Sequence, residues 1–98
     1  MYIANVVGTV VSTRKNDHLV GTKILIVQPM NIRLEPEGPC EIAVDSVGAG
    51  VGETVLISTG SSASKVFDGA TSPIDRAIVG IIDSIEVNGK TAVFNGSK

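Results

Sequence analysis

The chain has 98 residues, of which 43% are hydrophobic and only 18% charged, and its formal net charge is −2. Ordinary soluble domains carry ~25% charged residues, and a small domain exposes more of itself to water, so this apolar excess predicts surface covered by further copies of the chain. The interspersed acids and bases exclude the positive field that draws in nucleic acid.

Cys40 is the single cysteine, so no internal disulfide can form and a reducing cytoplasm is the expected setting. The opening "MYIANVVGTVV" has no basic stretch and no small-residue cleavage site. No apolar run reaches the ~20 residues of a membrane helix, so a soluble chain without a membrane partner is expected.

In chain order, "YIANVVGTVVS" (2–12) reads as a strand with a bulge or bend at Gly8, followed by an exposed polar loop, "TRKNDHL" (13–19). "TKILIVQ" (22–28) is a strand stopped by Pro29, and "NIRLEPEGP" (31–39) is a surface connection. "CEIAVDSV" (40–47) predicts a strand with Ile42 and Val44 on one face and Ala43 and Asp45 on the other. "ETVLIST" (53–59) alternates likewise, with Val55 and Ile57 opposite Leu56.

"GSSASKVF" (60–67) predicts a turn or two of helix capped by Ser61 or Ser62, with Lys65 near its C-terminal end. "IDRA" (74–77) is expected to add one helical turn. "AIVGIIDSIEV" (77–87) and "KTAVF" (90–94) flank Asn88-Gly89, the strongest short hairpin signal. The sum is an all-β domain: a small, closed or nearly closed barrel of five to six strands with one short helical insert. Ile78, Val79, Ile81 and Ile82 make a strand apolar on both faces. Such a strand needs a cover outside the barrel, and a neighbouring subunit is the expected one.

"DSVGAGVGETVLIS" (45–58) raises the question of a phosphate cradle, for it holds Gly48, Gly50 and Gly52. Such cradles work because the glycine turn opens a helix whose free N–H groups face the anion. Here the turn leads into a strand, and Glu53 adds a negative charge. The stretch therefore reads as a tight structural connection, with no cofactor.

His18, the only histidine, lies in the polar loop without partner ligands at metal-binding spacing. Cys40 reads as a small strand residue. Asp68 and Asp75 sit in turn-rich stretches, and Asp83 ends an apolar strand where it suits an ion pair between subunits. Asp45 is the strongest candidate for a catalytic carboxylate, yet its structural role is to receive N–H bonds from the glycine turn that follows. Small barrels also bind oligonucleotides or small ligands, the alternative reading. Three scattered aromatics, Tyr2, Phe67 and Phe94, and a negative charge make a poor platform for single strands.

Four stretches, "GTVVSTRKND" (8–17), "GTKILIVQP" (21–29), "VDSVGAGVGETVLISTGSSAS" (44–64) and "PIDRAIVGIID" (73–83), together resemble the EutN/CcmL family of microcompartment shell vertex proteins. The resemblance implies an OB-like barrel that closes into a homopentamer and caps a corner of a shell tiled by hexameric proteins in the bacterial cytoplasm. It implies no catalytic residue, metal or cofactor. It places Asp45, Ser46, Gly48, Ala49, Gly50, Gly52 and Glu53 near the ring axis or a subunit contact. Ser61, Ser62, Lys65, Ile78, Val79, Ile81, Ile82, Asp83, Val93 and Phe94 fall at subunit interfaces, the C-terminal hairpin reaching a neighbour. Ser64 stands where the family motif usually has a basic residue, and Lys65 comes next.

Overall fold

The computed structural model describes residues 1–12, 22–67 and 74–94. His18, with its loop, and Asp68 lie outside them. The described elements are β1 (Tyr2–Thr9), β2 (Lys23–Met30), β3 (Glu41–Asp45), β4 (Thr54–Thr59), α1 (Gly60–Phe67), β5 (Arg76–Ile81), β6 (Ser84–Val87) and β7 (Lys90–Val93). β1 to β5 close into a barrel in the order β1-β2-β3-β5-β4, and β6 and β7 form a separate two-stranded ribbon. All neighbours in the barrel are antiparallel except β3 and β5, which pair in parallel at Val44–Ala77 and Asp45–Ile78.

Alternation puts Ala4, Val6, Leu25, Val27, Ala43, Val55, Ile57 and Ile78 inside, where they form one core with Ala49 from the glycine loop. Two bulges adjust that alternation. Val6 pairs with Val27 and Gly8 with Ile26, so Val7 is an extra residue in β1, next to the expected bend. Ile78 pairs with Ile57 and Gly80 with Leu56, so Val79 is the extra residue in β5. The second bulge turns both Ile78 and Ile81 toward the core, three positions apart.

Val79 instead faces a second cluster outside the barrel, built from Val44, Ala63, Ile74 and Ala77, with Ile24 also packed against it. The sequence assigned the cover of this strand to a neighbouring subunit. Within the chain, α1 covers the first half of that outer face, where Ala63 packs with Val44, Ile74 and Ala77.

Four local expectations change. β2 runs through Pro29, which pairs with Ala4. A proline lacks only the donor, and its carbonyl still accepts the Glu37 N–H at 2.9 Å. α1 starts at Gly60, so Ser61 and Ser62 occupy its first turn rather than capping it. "IDRA" is not helical, since Arg76 opens β5 and Ile74 packs under α1. Cys40 is exposed just ahead of β3, with its Sγ 3.4 Å from Gln28 Oε1. The segment 77–87 divides into β5 and β6, and the Asn88-Gly89 turn joins β6 to β7 as expected, with φ of 53° and 79°.

Candidate functional site

β1, β3 and β5 all start at one end of the barrel and finish at the other, because β2 and β4 run against them. The glycine loop closes the finishing end. There the Asp45 carboxylate, its side chain 4% exposed, accepts backbone N–H bonds from Val47 (3.1 Å), Gly48 (2.9 Å) and Ala49 (3.0 Å). Lys23 Nζ stands 3.8 Å from the same carboxylate.

Glu53 does the same work further along. Its Oε1 accepts the Gly50 N–H at 2.7 Å, and its own N–H bonds the Gly50 carbonyl at 3.2 Å. The Gly52 N–H bonds Val6 O at 2.8 Å, and the Ser46 hydroxyl donates to Ile78 O at 2.7 Å. Gly48 and Gly52 have φ of 83° and 95°, the left-handed backbone that lets the amides turn inward onto carboxylates of the same loop. Amides thus occupied do not cradle a phosphate.

At the starting end, Tyr2, Glu41 and Arg76, the first residues of β1, β3 and β5, meet. The Tyr2 hydroxyl donates to Glu41 Oε1, and Arg76 Nε donates to the same oxygen at 2.8 Å. Arg76 Nη1 also reaches Asp75 Oδ2 at 3.2 Å. Burial, and then the bond to Glu41, push the Tyr2 phenol up to about 12. Hydrogen bonds that Arg76 donates to Tyr2 and Glu41 hold its guanidinium in the charged form.

The sequence reading missed this cluster. Its signal was a polar residue opening each odd strand, and that becomes meaningful only once the strand directions are known.

The proposed contact residues divide by burial. Ala49 and Ile78 are fully buried in their own barrel, and Asp45 is nearly so. Ser46, Gly48, Gly52, Ser61, Ser62, Lys65, Asp83 and Val93 are exposed, while Gly50, Glu53, Val79, Ile81, Ile82 and Phe94 are half-buried. Val47 and Val51, 41% and 62% exposed on the glycine loop, were not singled out. Among the described residues, no group of three or more His, Cys, Asp or Glu could hold a metal ion. No buried side-chain nitrogen or oxygen among them lacks a partner.

Such a barrel, with one end closed by a self-bonded loop and its most buried carboxylate bound to three amides, is a rigid scaffold of the OB-like class. A family model described as ethanolamine utilisation protein EutN/carboxysome matches residues 1–83, and the chain belongs to this EutN/CcmL family. The microcompartment shell vertex protein GrpN of Rhodospirillum rubrum is 50% identical over 86 residues, 88% of this chain and 97% of that one. The carboxysome shell vertex protein CcmL of a Synechocystis species is 45% identical over 87 residues, 89% of this chain and 87% of that one.

Among solved structures, the pentameric microcompartment shell protein GrpN from Rhodospirillum rubrum superposes with a TM-score of 0.81 at 49% identity, covering 89% of this chain and 99% of that one. CcmL from Gloeobacter violaceus superposes with a TM-score of 0.89 at 38% identity, covering 99% of this chain and 100% of that one.

Proposed function

We propose that this chain is a structural shell protein, not an enzyme, and that five copies close head-to-tail into a ring at the vertices of a bacterial microcompartment. The single observation that carries the reading is its likeness to pentameric GrpN, at 49% identity over 99% of that chain. The mechanism is geometric. Hexagonal tiles make flat facets, and a heterologous interface that closes after five copies supplies the pentagon that forces curvature and closure. The ring meets hexameric shell proteins along its rim, inside the cytoplasm.

The exposed tip of the glycine loop at Ser46, Gly48 and Gly52, with Gly50 and Glu53 behind it, faces the ring axis or a neighbour. Ser61, Ser62 and Lys65 on α1 offer a second contact surface, and Val79, Ile81, Ile82, Asp83, Val93 and Phe94 offer a third. Each of these residues keeps part of its surface accessible in the single chain. Native mass spectrometry at micromolar concentration tests the ring. An assembly about five times the 10.1 kDa chain is expected. A monomer or dimer overturns the reading, and a hexamer overturns the vertex mechanism.

A further inference from the structure

The β6–β7 ribbon has no core of its own. Ser84 pairs with Val93, Ile85 with Ala92, Glu86 with Thr91 and Val87 with Lys90, and none of these residues is buried. Ile85 and Ala92 alone are half-buried. The barrel ends just before the ribbon, where the Ile82 N–H bonds Thr54 O at 2.9 Å. Beyond that point the base of the ribbon is closed by the Phe94 N–H, which bonds Asp83 O at 2.7 Å. A groove of about 500 Å³ opens between its Ile85, Val87 and Ala92 and the loop residues Ile32 and Leu34, so the chain does not seat the ribbon on its own barrel.

Fixing two strands and a turn costs conformational entropy that four cross-strand pairs without a buried residue do not offset, and a lone two-stranded ribbon is marginal in water. Asn88-Gly89 nonetheless presets the turn, with φ of 53° and 79°. The ribbon is therefore poised to close as soon as its apolar side chains are covered.

Resting on the ring reading above, we propose that the ribbon is a folding switch coupled to assembly: it is open in the free chain and closes when a second copy of this chain covers it. The second copy is the occupant because Val93, in β7, and Asp83 and Phe94, at the ribbon's base, belong to the contact surface assigned above to a neighbour. Part of each contact's free energy goes into ordering the ribbon, so a single contact is weak. A misplaced copy leaves again before the ring closes. In an open head-to-tail arc one terminal ribbon has no neighbour, and closure is the step that orders it.

The test uses the full-length protein as ring and as free subunit, separated by dilution at a fixed, sub-denaturing urea concentration and identified by sedimentation velocity. Hydrogen exchange read by mass spectrometry is expected to show 84–93 losing at least about tenfold in protection on dissociation, while 25–27 and 55–57 in the barrel keep theirs. A second measurement reads the coupling from the other side. Gly89→Ala strains the closed turn but not the open chain, and a Cβ there meets nothing within 4 Å. With an open ribbon in the free chain, that strain falls on the ring alone, and the midpoint concentration for dissociation rises about fivefold or more. Asn88→Asp keeps a favoured turn pair and shifts the midpoint less than about twofold. A ribbon as protected in the free subunit as in the ring overturns the proposal and leaves the ring reading standing. So does an unchanged midpoint for Gly89→Ala, since a ribbon already closed in the free chain carries the strain in both states. Equal shifts by the two variants overturn it as well, marking the turn as a plain contact. A chain that sediments as a monomer at every concentration overturns the ring reading and this proposal together.

Discussion

The two ends of the barrel are closed by opposite means. At the glycine-loop end, carboxylates are bound by backbone amides two to four residues away, as with Asp45 and the N–H groups of Val47 to Ala49. At the other end, Tyr2, Glu41 and Arg76 bond side chain to side chain, across 39 and 35 residues of sequence. The first arrangement is buried and rigid, a local motif that folds as a unit. The second is partly exposed and exists only when three strands have already found their places. The difference teaches that the same chemistry, a carboxylate meeting hydrogen-bond donors, has a different worth at each end, set by burial and by the entropy of bringing the partners together.

The sharpest way to break this comparison is Asp45→Ala, which takes the acceptor from three amides, that of Ala49 fully buried. A loss of about 3–5 kcal/mol is expected, read from thermal unfolding at fixed protein concentration, since assembly makes the midpoint concentration-dependent. A loss no greater than that of Glu41→Ala would show the two ends to be equivalent. Next comes Gly52→Val. A Cβ there meets nothing within 4 Å, so the cost is backbone strain at a φ of 95°, about 2 kcal/mol in the same measurement. Gly50→Ala, where φ is not positive and a Cβ finds Glu53 Oε1 only at 3.7 Å, serves as the control and is expected to cost under about 0.5 kcal/mol.

At the other end, Glu41→Ala is expected to cost about 1 kcal/mol, because the ion pair is partly solvated. Tyr2 is the only tyrosine, so its ionisation can be followed directly by ultraviolet difference absorbance. Its midpoint lies at about 12, against an ordinary 10.0, and Glu41→Ala moves it part of the way down, leaving the contribution of burial. The sign follows from linkage. The folded state holds the phenolic proton more tightly, so this stabilisation is complete below pH 10.0 and is lost as the pH rises through about 12. The most local effect belongs to Gly89→Ala, whose φ of 79° costs a side chain about 1 kcal/mol. Hydrogen exchange over 84–93 quickens, and the barrel amides stay protected.

Much of this was legible in the residues. Alternation located β3 and β4, β-branched composition located β1 and β2, a run apolar on both faces marked β5, Asn88-Gly89 located the ribbon turn, and "DSVGAGVGE" carried both the carboxylates and the donors they bind. What could not be read depends on three-dimensional closure. Val79 is an ordinary strand residue, and nothing in it announces a bulge until β4 and β5 are paired. The cover on β5 was assigned to a neighbour because the sequence has little helix to spare, yet the eight-residue α1 packs Ala63 into one cluster with Val44 and Ala77. Tyr2, Glu41 and Arg76 looked like unrelated polar residues because their meeting requires all three odd strands to start at one rim.

The parallel seam has a kinetic consequence. β3 and β5 join through only two residue pairs, Val44–Ala77 and Asp45–Ile78, separated by 33 positions along the chain (77 − 44 and 78 − 45). Hairpin contacts between successive strands form quickly, whereas zipping this seam must wait for a long loop to find its target. β1 and β4 pair across 49 to 55 positions (54 − 5 and 57 − 2), so both long-range seams must zip before the outer wall of a subunit is complete. Unfinished copies lack the surface that a neighbour would grip, so the order of events itself guards against premature or misshapen rings.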